Sequence, residues 1–246
     1  MVQTRAPRSP RSSRLGTEAA VLLYFRKDIV RIVKAWFAAL FGHHGKDRAH
    51  RLGKGNPDAL MGWWVILGSI PIVVLGVIFK DAIEGHLRNL YITAAVLVIF
   101  GLVLGVADKI GRRTRELDTL KAKDAWLLGL AQAMALIPGV SRSGGTISMG
   151  LFLGLTREAA ARYSFLLAIP AVIGSAGLEL VTNSDELTAA GGPGALNTVI
   201  ATVVSFAVGY VVIVWFLGSS RTTRIGRSSG TASASRRSSW RSLAPE

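Results

Sequence analysis

Two stretches of this sequence, residues 61–79 (MGWWVILGSIPIVVLGVIF) and 196–217, run on without a single charged side chain. A bilayer crossing needs about 20 mostly apolar residues, and inside hydrocarbon a single segment can satisfy its own backbone only as a helix. Residues 90–107 are slightly shorter and equally uncharged, and 159–180 is a fourth candidate, with Arg162 near its start and Glu179 near its end. Trp63, Trp64, Tyr91 and Trp215 stand at span ends, where amphipathic rings collect at the membrane–water boundary. Helices buried in a soluble core would each keep a polar stripe, and none of the four shows one. The chain therefore reads as an all-α, polytopic membrane protein with four crossings.

The formal net charge of +14 is concentrated at the two ends: residues 1–16 hold four Arg and no acid, and residues 218–246 hold six Arg and one acid. Those Arg alternate with Ser, Thr and Gly rather than with stacking aromatics, which argues against a nucleic-acid partner. The composition gives three regions: a disordered basic tail over 1–14, a membrane domain over 15–217 and a disordered Ser/Arg-rich tail over 218–246. Nothing in 1–14 resembles the apolar stretch of a signal peptide. With no Cys, disulfides, thiolate metal sites and cysteine nucleophiles are excluded.

Loop charge orients the chain, because short cytoplasmic loops collect Lys and Arg. Residues 26–58 hold eight basic side chains and 108–124 hold six, so both read as cytoplasmic. Residues 80–89 hold only Lys80 and Arg88, and 182–195 have Asp185 and Glu186 with no base, so both read as external. The basic C-terminal tail returns to the cytoplasm. Ile29, Ile32, Val33, Trp36, Phe37 and Leu40 fall at helical spacing opposite Arg26, Lys27, Arg31 and Lys34, the pattern of a helix lying in the interface. Glu18 to Phe25 reads as the last part of a separate span.

Between 124 and 162, residues 125–138 and 146–155 are apolar but too short to cross alone, and they flank a polar run over 139–145. Entry and exit on one side make this a re-entrant helical hairpin with its tip expected at mid-membrane. Irregular backbone at that depth survives only when covered by protein or lining a cavity.

The tip reads Pro138-Gly139-Val140-Ser141-Arg142-Ser143-Gly144-Gly145-Thr146. An Arg in a bilayer costs about 2.5 to 3.5 kcal/mol on insertion scales and needs a partner there. Around Arg142 stand the hydroxyls of Ser141, Ser143 and Thr146, with glycines that let backbone N–H groups approach a ligand. A helix beginning at Thr146 would add the positive end of its dipole. Guanidinium, hydroxyls and helix N-terminus together suit a phosphate. The run is not a nucleotide P-loop, because the Lys of G-x-x-x-x-G-K-[ST] is absent. His43, His44, His50 and His86 lie in polar loops without carboxylate spacing and read as solvated rather than metal-bound. Glu158 and Arg162, four apart, read as a surface pair. Gln132 faces the interior, toward a neighbouring helix or toward ligand.

The run from Ala131 to Ser148 (AQAMALIPGVSRSGGTIS), followed by Phe152-Leu153-Gly154-Leu155 and Phe165-Leu166-Leu167-Ala168-Ile169-Pro170, closely resembles the bacitracin-resistance type of undecaprenyl-diphosphatase. The resemblance extends from about Leu15 to Leu217. It implies a bacterial inner-membrane hydrolase that converts undecaprenyl diphosphate to the monophosphate, recycling the lipid carrier of cell-wall synthesis and giving bacitracin resistance. It also implies two inverted repeats, each with a re-entrant hairpin, an active site open to the periplasm, and a divalent cation (Mg2+ or Ca2+) assisting the reaction. Carried onto this sequence, Arg142, Ser141 and Thr146 are the expected catalytic side chains. Gly139, Ser143, Gly144 and Gln132 are the expected substrate-binding positions, and no protein metal ligand is expected. A polyprenyl diphosphate and the membrane are the expected partners, with oligomeric association left open.

The chain departs from that family's pattern in lacking the E-x-x-x-E pair and the P-V-S-S-[ST]-G-H stretch of the first repeat, and Glu18 is not in a place to substitute. Residues 1–14 and 218–246 read as foreign ends flanking an authentic middle. Since an Arg and hydroxyl loop neutralises charge but activates no nucleophile, slow turnover is expected. Two alternatives follow: a catalytically defective truncated member, and a lipid or anion transporter built around a broken helix. The topology is testable because the sequence has no native cysteine. Single cysteines at Lys54, Arg113 and Arg227 should label only from the cytoplasmic side, and ones at Glu84 and Asp185 only from outside. External labelling at Arg113 would contradict both the orientation and the hairpin.

Overall fold

The computed structural model describes residues 9–42, 48–79, 90–182 and 195–222. The outermost tails, residues 80–89 and 183–194, and His43, His44 and His86 lie outside the described residues. So do the cysteine positions proposed at Glu84, Asp185 and Arg227. Eight α-helices are described: α1 (Ser9–Leu40), a single turn α2 (Arg48–Arg51), α3 (Pro57–Ile78), α4 (Leu90–Ile110), α5 (Ala122–Ala133), α6 (Arg142–Phe152), α7 (Arg157–Thr182) and α8 (Ala195–Thr222). There is no strand among the described residues, only an isolated bridge between Arg115 and Leu155.

Three described helices, α3, α4 and α8, are long and apolar enough to cross a membrane. They coincide with the expected spans at 61–79, 90–107 and 196–217. The fourth expected span is the 26-residue α7, which carries Arg157, Glu158 and Arg162 in its first two turns. The start of α3 shows how sequence sets an end: Asn56 accepts hydrogen bonds from the N–H groups of Asp58 and Ala59, at 3.0 and 3.2 Å. Pro57 at the first helical position and Asp58 in the first turn complete a favourable N-terminus.

One expectation is corrected at the N-terminus. The end of a span at 18–25 and an interfacial helix from Arg26 are not separate elements; α1 is continuous for 32 residues, and it already includes residues 9–14. No proline interrupts α1 after Pro10, Arg26 bonds Leu23 O within the helix, and Arg31 pairs with Asp28 in α1 and Asp58 in α3, so the charge change does not break the helix.

The chain forms two compact units. In the unit holding the chain up to Arg26 and residues 169–219, α1 packs on α8 through small residues: Gly16 lies against Ser205 and Thr202, and Gly209 against Thr17 and Ala20. Tyr24 meets Tyr210 edge-on, with ring centroids 6.2 Å apart. Such small-residue crossings let helix backbones approach where lipid supplies no hydrophobic drive.

In the unit holding residues 27–168, α5 and α6 form an antiparallel hairpin, with Ala131 beside Gly145 near its tip. Helix α3 covers the α5 side, where Gly68 touches Gly129, and α4 covers the α6 side. The hairpin tip, Gly139, lies against Thr93 and Val96 in the first two turns of α4, while the far end of α6 at Leu151 lies beside Gly111. The tip therefore stands level with the start of α4 instead of its middle. The hairpin reaches this far because α5 runs into a 3-10 turn (Met134–Leu136) and then extended backbone, which advance by about 2.0 and 3.3 Å per residue against 1.5 Å in an α-helix.

The second half of α1 is likewise packed on protein: Trp36 meets Trp63 at 5.4 Å and fills the space over Gly62. Beside it lies a buried ion network. Arg162 donates to Asp28 at 2.6 Å, both side chains only 6% exposed, and Arg31 binds Asp28 at 2.9 Å and Asp58 at 3.2 Å. Arg162 thus corrects the expected surface pair: Glu158 lies 4.0 Å away, but the main partner is Asp28, 134 residues distant in sequence. A buried pair is costly to break and cheap to replace as a whole. Asp28→Leu should destabilise the detergent-solubilised chain by about 3–5 kcal/mol by removing the 2.6 Å buried carboxylate partner of Arg162, and adding Arg162→Met should recover most of that loss. Denaturant unfolding of both variants checks this; a double variant no more stable than the single one would contradict it.

Candidate active site

The polar run 139–146 is built as a tight loop feeding directly into α6. Ile137 donates its N–H to Met134 O at 3.0 Å and Val140 to Ile137 O at 3.1 Å, which closes the turn after the 3-10 segment. Gly139 has φ +98°, and a Cβ there would lie 2.6 Å from Thr93 O, so both the backbone twist and the closeness of α4 require glycine. A Cβ at Gly145 would lie 2.8 Å from Ala131 O; its absence lets the two arms of the hairpin touch.

Helix α6 begins at Arg142 rather than at Thr146, as the sequence alone suggested. The reason is Ser141, whose Oγ caps the helix by accepting the Gly144 N–H at 3.1 Å. Arg142 therefore occupies the first helical position. Its own N–H and that of Ser143 lack intrahelical acceptors and remain available at the positive end of the helix dipole. Ser143 Oγ lies 3.4 Å from Ser141 Oγ, and both residues are exposed.

The expected site residues separate into two groups. Ser141, Arg142, Ser143, Gly144 and Gly139 lie together in one polar loop. Thr146 is fully buried, and its hydroxyl donates to Arg142 O at 2.9 Å, so it holds the first turn of α6 from beneath instead of facing outward. Ser148, which the sequence reading did not single out, does the same one turn on, donating to Gly144 O at 2.7 Å. Gln132 is fully buried in α5, with neither amide atom hydrogen-bonded.

Arg142 differs from the other well-placed arginines of this unit. Arg31, Arg113, Arg115, Arg157 and Arg162 each bind a carboxylate. Arg142 is half-buried, and its guanidinium makes no hydrogen bond or ion pair with any described residue. A guanidinium kept without a counter-ion beside free N–H groups and two hydroxyls is arranged to receive an anion.

A cavity of roughly 550 Å³ lies between the end of α3 and the hairpin, walled by Leu75, Phe79, Leu130, Met134, Ile137 and Met149 among others. Met149 sits seven residues after Arg142, nearly two turns on, so one wall of this apolar space stands about 10 Å along the α6 axis from the Arg142 backbone. No cluster of three or more His, Cys, Asp or Glu exists among the described residues. An Arg and two hydroxyls do not suit a divalent cation, which takes carboxylate and carbonyl oxygens, so the loop alone does not fit the metal that the resemblance implies.

Residues 12–226 match the family described as bacitracin resistance protein BacA. This chain belongs to that family. Curated proteins named undecaprenyl-diphosphatase are among its relatives. That of Paenarthrobacter aurescens (strain TC1) is 56% identical over 205 residues, covering 83% of this chain and 71% of the relative. The protein of Arthrobacter sp. (strain FB24) is 57% identical over 208 residues, covering 83% and 69%. The one from Bifidobacterium adolescentis is 53% identical over 206 residues, covering 82% and 70%. The matched BacA region contains the whole hairpin and the Arg142 loop.

Proposed function

We propose that this chain hydrolyses undecaprenyl diphosphate to undecaprenyl phosphate and inorganic phosphate, and so gives bacitracin resistance. The observation that carries the reading is Arg142: half-buried, without a carboxylate partner among the described residues, at the first position of a helix in a BacA-family hairpin. Cleavage of a phosphoanhydride places charge on the oxygens of the transferred phosphoryl group and on the departing bridging oxygen. The Arg142 fork, the N–H groups of Arg142 and Ser143, and the hydroxyls of Ser141 and Ser143 would neutralise that charge. Thr146 acts in this scheme by fixing the turn that carries Arg142, and Gly139 and Gly144 shape the loop. The first isoprene units of the lipid would lie in the apolar cavity below. Gln132, buried with an open amide, is assigned to substrate contact on the same reasoning.

The location reading is a bacterial inner membrane with the basic C-terminal tail in the cytoplasm. Loop charge supports it, and so does the tip of the hairpin, which stands level with the start of α4, next to the loop that the charge bias reads as external. This favours a site opening outward. One observation favours a second reading: among the described residues no carboxylate or imidazole contacts the loop, so binding of the diphosphate with slow turnover, or its movement without hydrolysis, is the alternative.

Arg142→Lys keeps the charge and loses the planar fork. A charge-assisted hydrogen bond contributes about 1.5–3 kcal/mol, so phosphate release from a polyprenyl diphosphate should fall roughly 10- to 100-fold with membrane insertion unchanged. Activity within a factor of two of the parent would remove Arg142 from the site. Substrate movement across vesicles without phosphate release would support the transporter.

A further inference from the structure

The two arms of the hairpin meet at its foot in a single side chain. Arg115 donates from Nη1 to Leu153 O at 3.0 Å, just past the end of α6, and from Nη2 to Thr119 O at 2.9 Å and Asp124 Oδ2 at 2.5 Å, at the start of α5. The same Asp124 oxygen accepts the Lys121 N–H at 3.1 Å and so caps α5. Burial pushes the Asp124 carboxyl up, but the Arg115 and Lys121 bonds outweigh it and hold the group below the ordinary carboxylate range. The backbone of Arg115 is tied as well: its N–H donates to Gly154 O at 2.9 Å and its carbonyl accepts the Thr156 N–H at 2.9 Å, forming the parallel bridge to Leu155.

We propose that Arg115 is a positioning residue for the Arg142 loop, a clamp that fixes the register and tilt of α6 against α5 from the opposite end of the hairpin. This rests on the reading of that loop as the diphosphate site. Helices α5 and α6 are 12 and 11 residues long, too short to be anchored by crossing the membrane. Their tip is therefore set by packing on α3 and α4 and by whatever holds their foot. Arg142 stands about 16 Å along α6 from Leu153, so a tilt of about 4° at the foot moves the guanidinium by about 1 Å, enough to cost a site of this kind a large part of its function. A lysine cannot replace Arg115, since a single ammonium cannot bridge carbonyl and carboxylate partners on both arms at once.

The test uses the full chain, which has no native cysteine. In the first arm, a nitroxide on Ser143→Cys reports mobility and depth of the tip by electron paramagnetic resonance. Arg115→Met and Arg115→Lys should each loosen or shift the tip, whereas Arg112→Met, at an exposed neighbour, should not. In the second arm, binding of inorganic diphosphate is measured in unlabelled protein. Either Arg115 substitution should weaken it about tenfold. In Arg115→Cys/Leu155→Cys, whose positions are paired in the bridge, oxidation should cross-link the foot and restore binding to within threefold of the parent, and reduction should remove it again. A purely structural defect would not return on oxidation. An unchanged tip signal, cysteines that fail to cross-link, or oxidised protein no better than reduced protein would each overturn the proposal. If the parent itself binds no diphosphate, the functional reading of the loop fails, and the nitroxide arm still decides whether Arg115 holds the tip.

Discussion

Backbone polar groups have no water to turn to in the interior of a membrane, and this constraint governs the arrangement around the hairpin. Residues 137–141 leave helical geometry, so their N–H and C=O groups must be satisfied by turns or covered by protein. The structure does both: two turn hydrogen bonds close the segment, and α4 lies directly on Gly139. Helix α3 covers the other arm at Gly129. The interruption is tolerated because small residues let flanking helices come close enough to seal it. What remains unsealed is the N-terminus of α6 and the Arg142 side chain, and these are the groups an anion would complete.

Charge follows the same logic. Buried or half-buried arginines in this unit are neutralised locally: Arg162 by Asp28, Arg31 by Asp28 and Asp58, Arg157 by Asp108, Arg115 by Asp124. These pairs fix helices to one another at the ends of the bundle, away from the loop. Arg142 is left out of this pattern. A guanidinium at a helix N-terminus with no carboxylate partner among the described residues reads as one half of an interaction, and the lipid diphosphate proposed above, in line with the BacA family, would be the other half.

Much of this was legible in the sequence where the signal is local. The uncharged runs at 61–79, 90–107 and 196–217 could hardly be anything but helices across apolar surroundings, and the arms at 125–138 and 146–155, too short to cross, announced a hairpin. The family was legible from the 131–148 run. Less legible was the start of α6, because both Ser141 and Thr146 are plausible first residues by type and only the Ser141 cap decides between them. The continuity of α1 was hidden by the charges from Arg26 onward, since their partners Asp58 and Arg162 lie on other helices. The Asp28–Arg162 bond and the Arg115 clamp left no local trace at all; pairs 134 and 38 residues apart have no periodicity to betray them.

The central claim is that the Arg142 guanidinium holds the diphosphate. Solid-state dipolar recoupling between 15N-labelled arginine side chains and the 31P nuclei of bound inorganic diphosphate, in membranes containing the full chain, tests it most directly. The account predicts a guanidinium–phosphorus contact at hydrogen-bonding range that disappears in Arg142→Lys while the protein stays folded and inserted. The same contact persisting without Arg142 would contradict it.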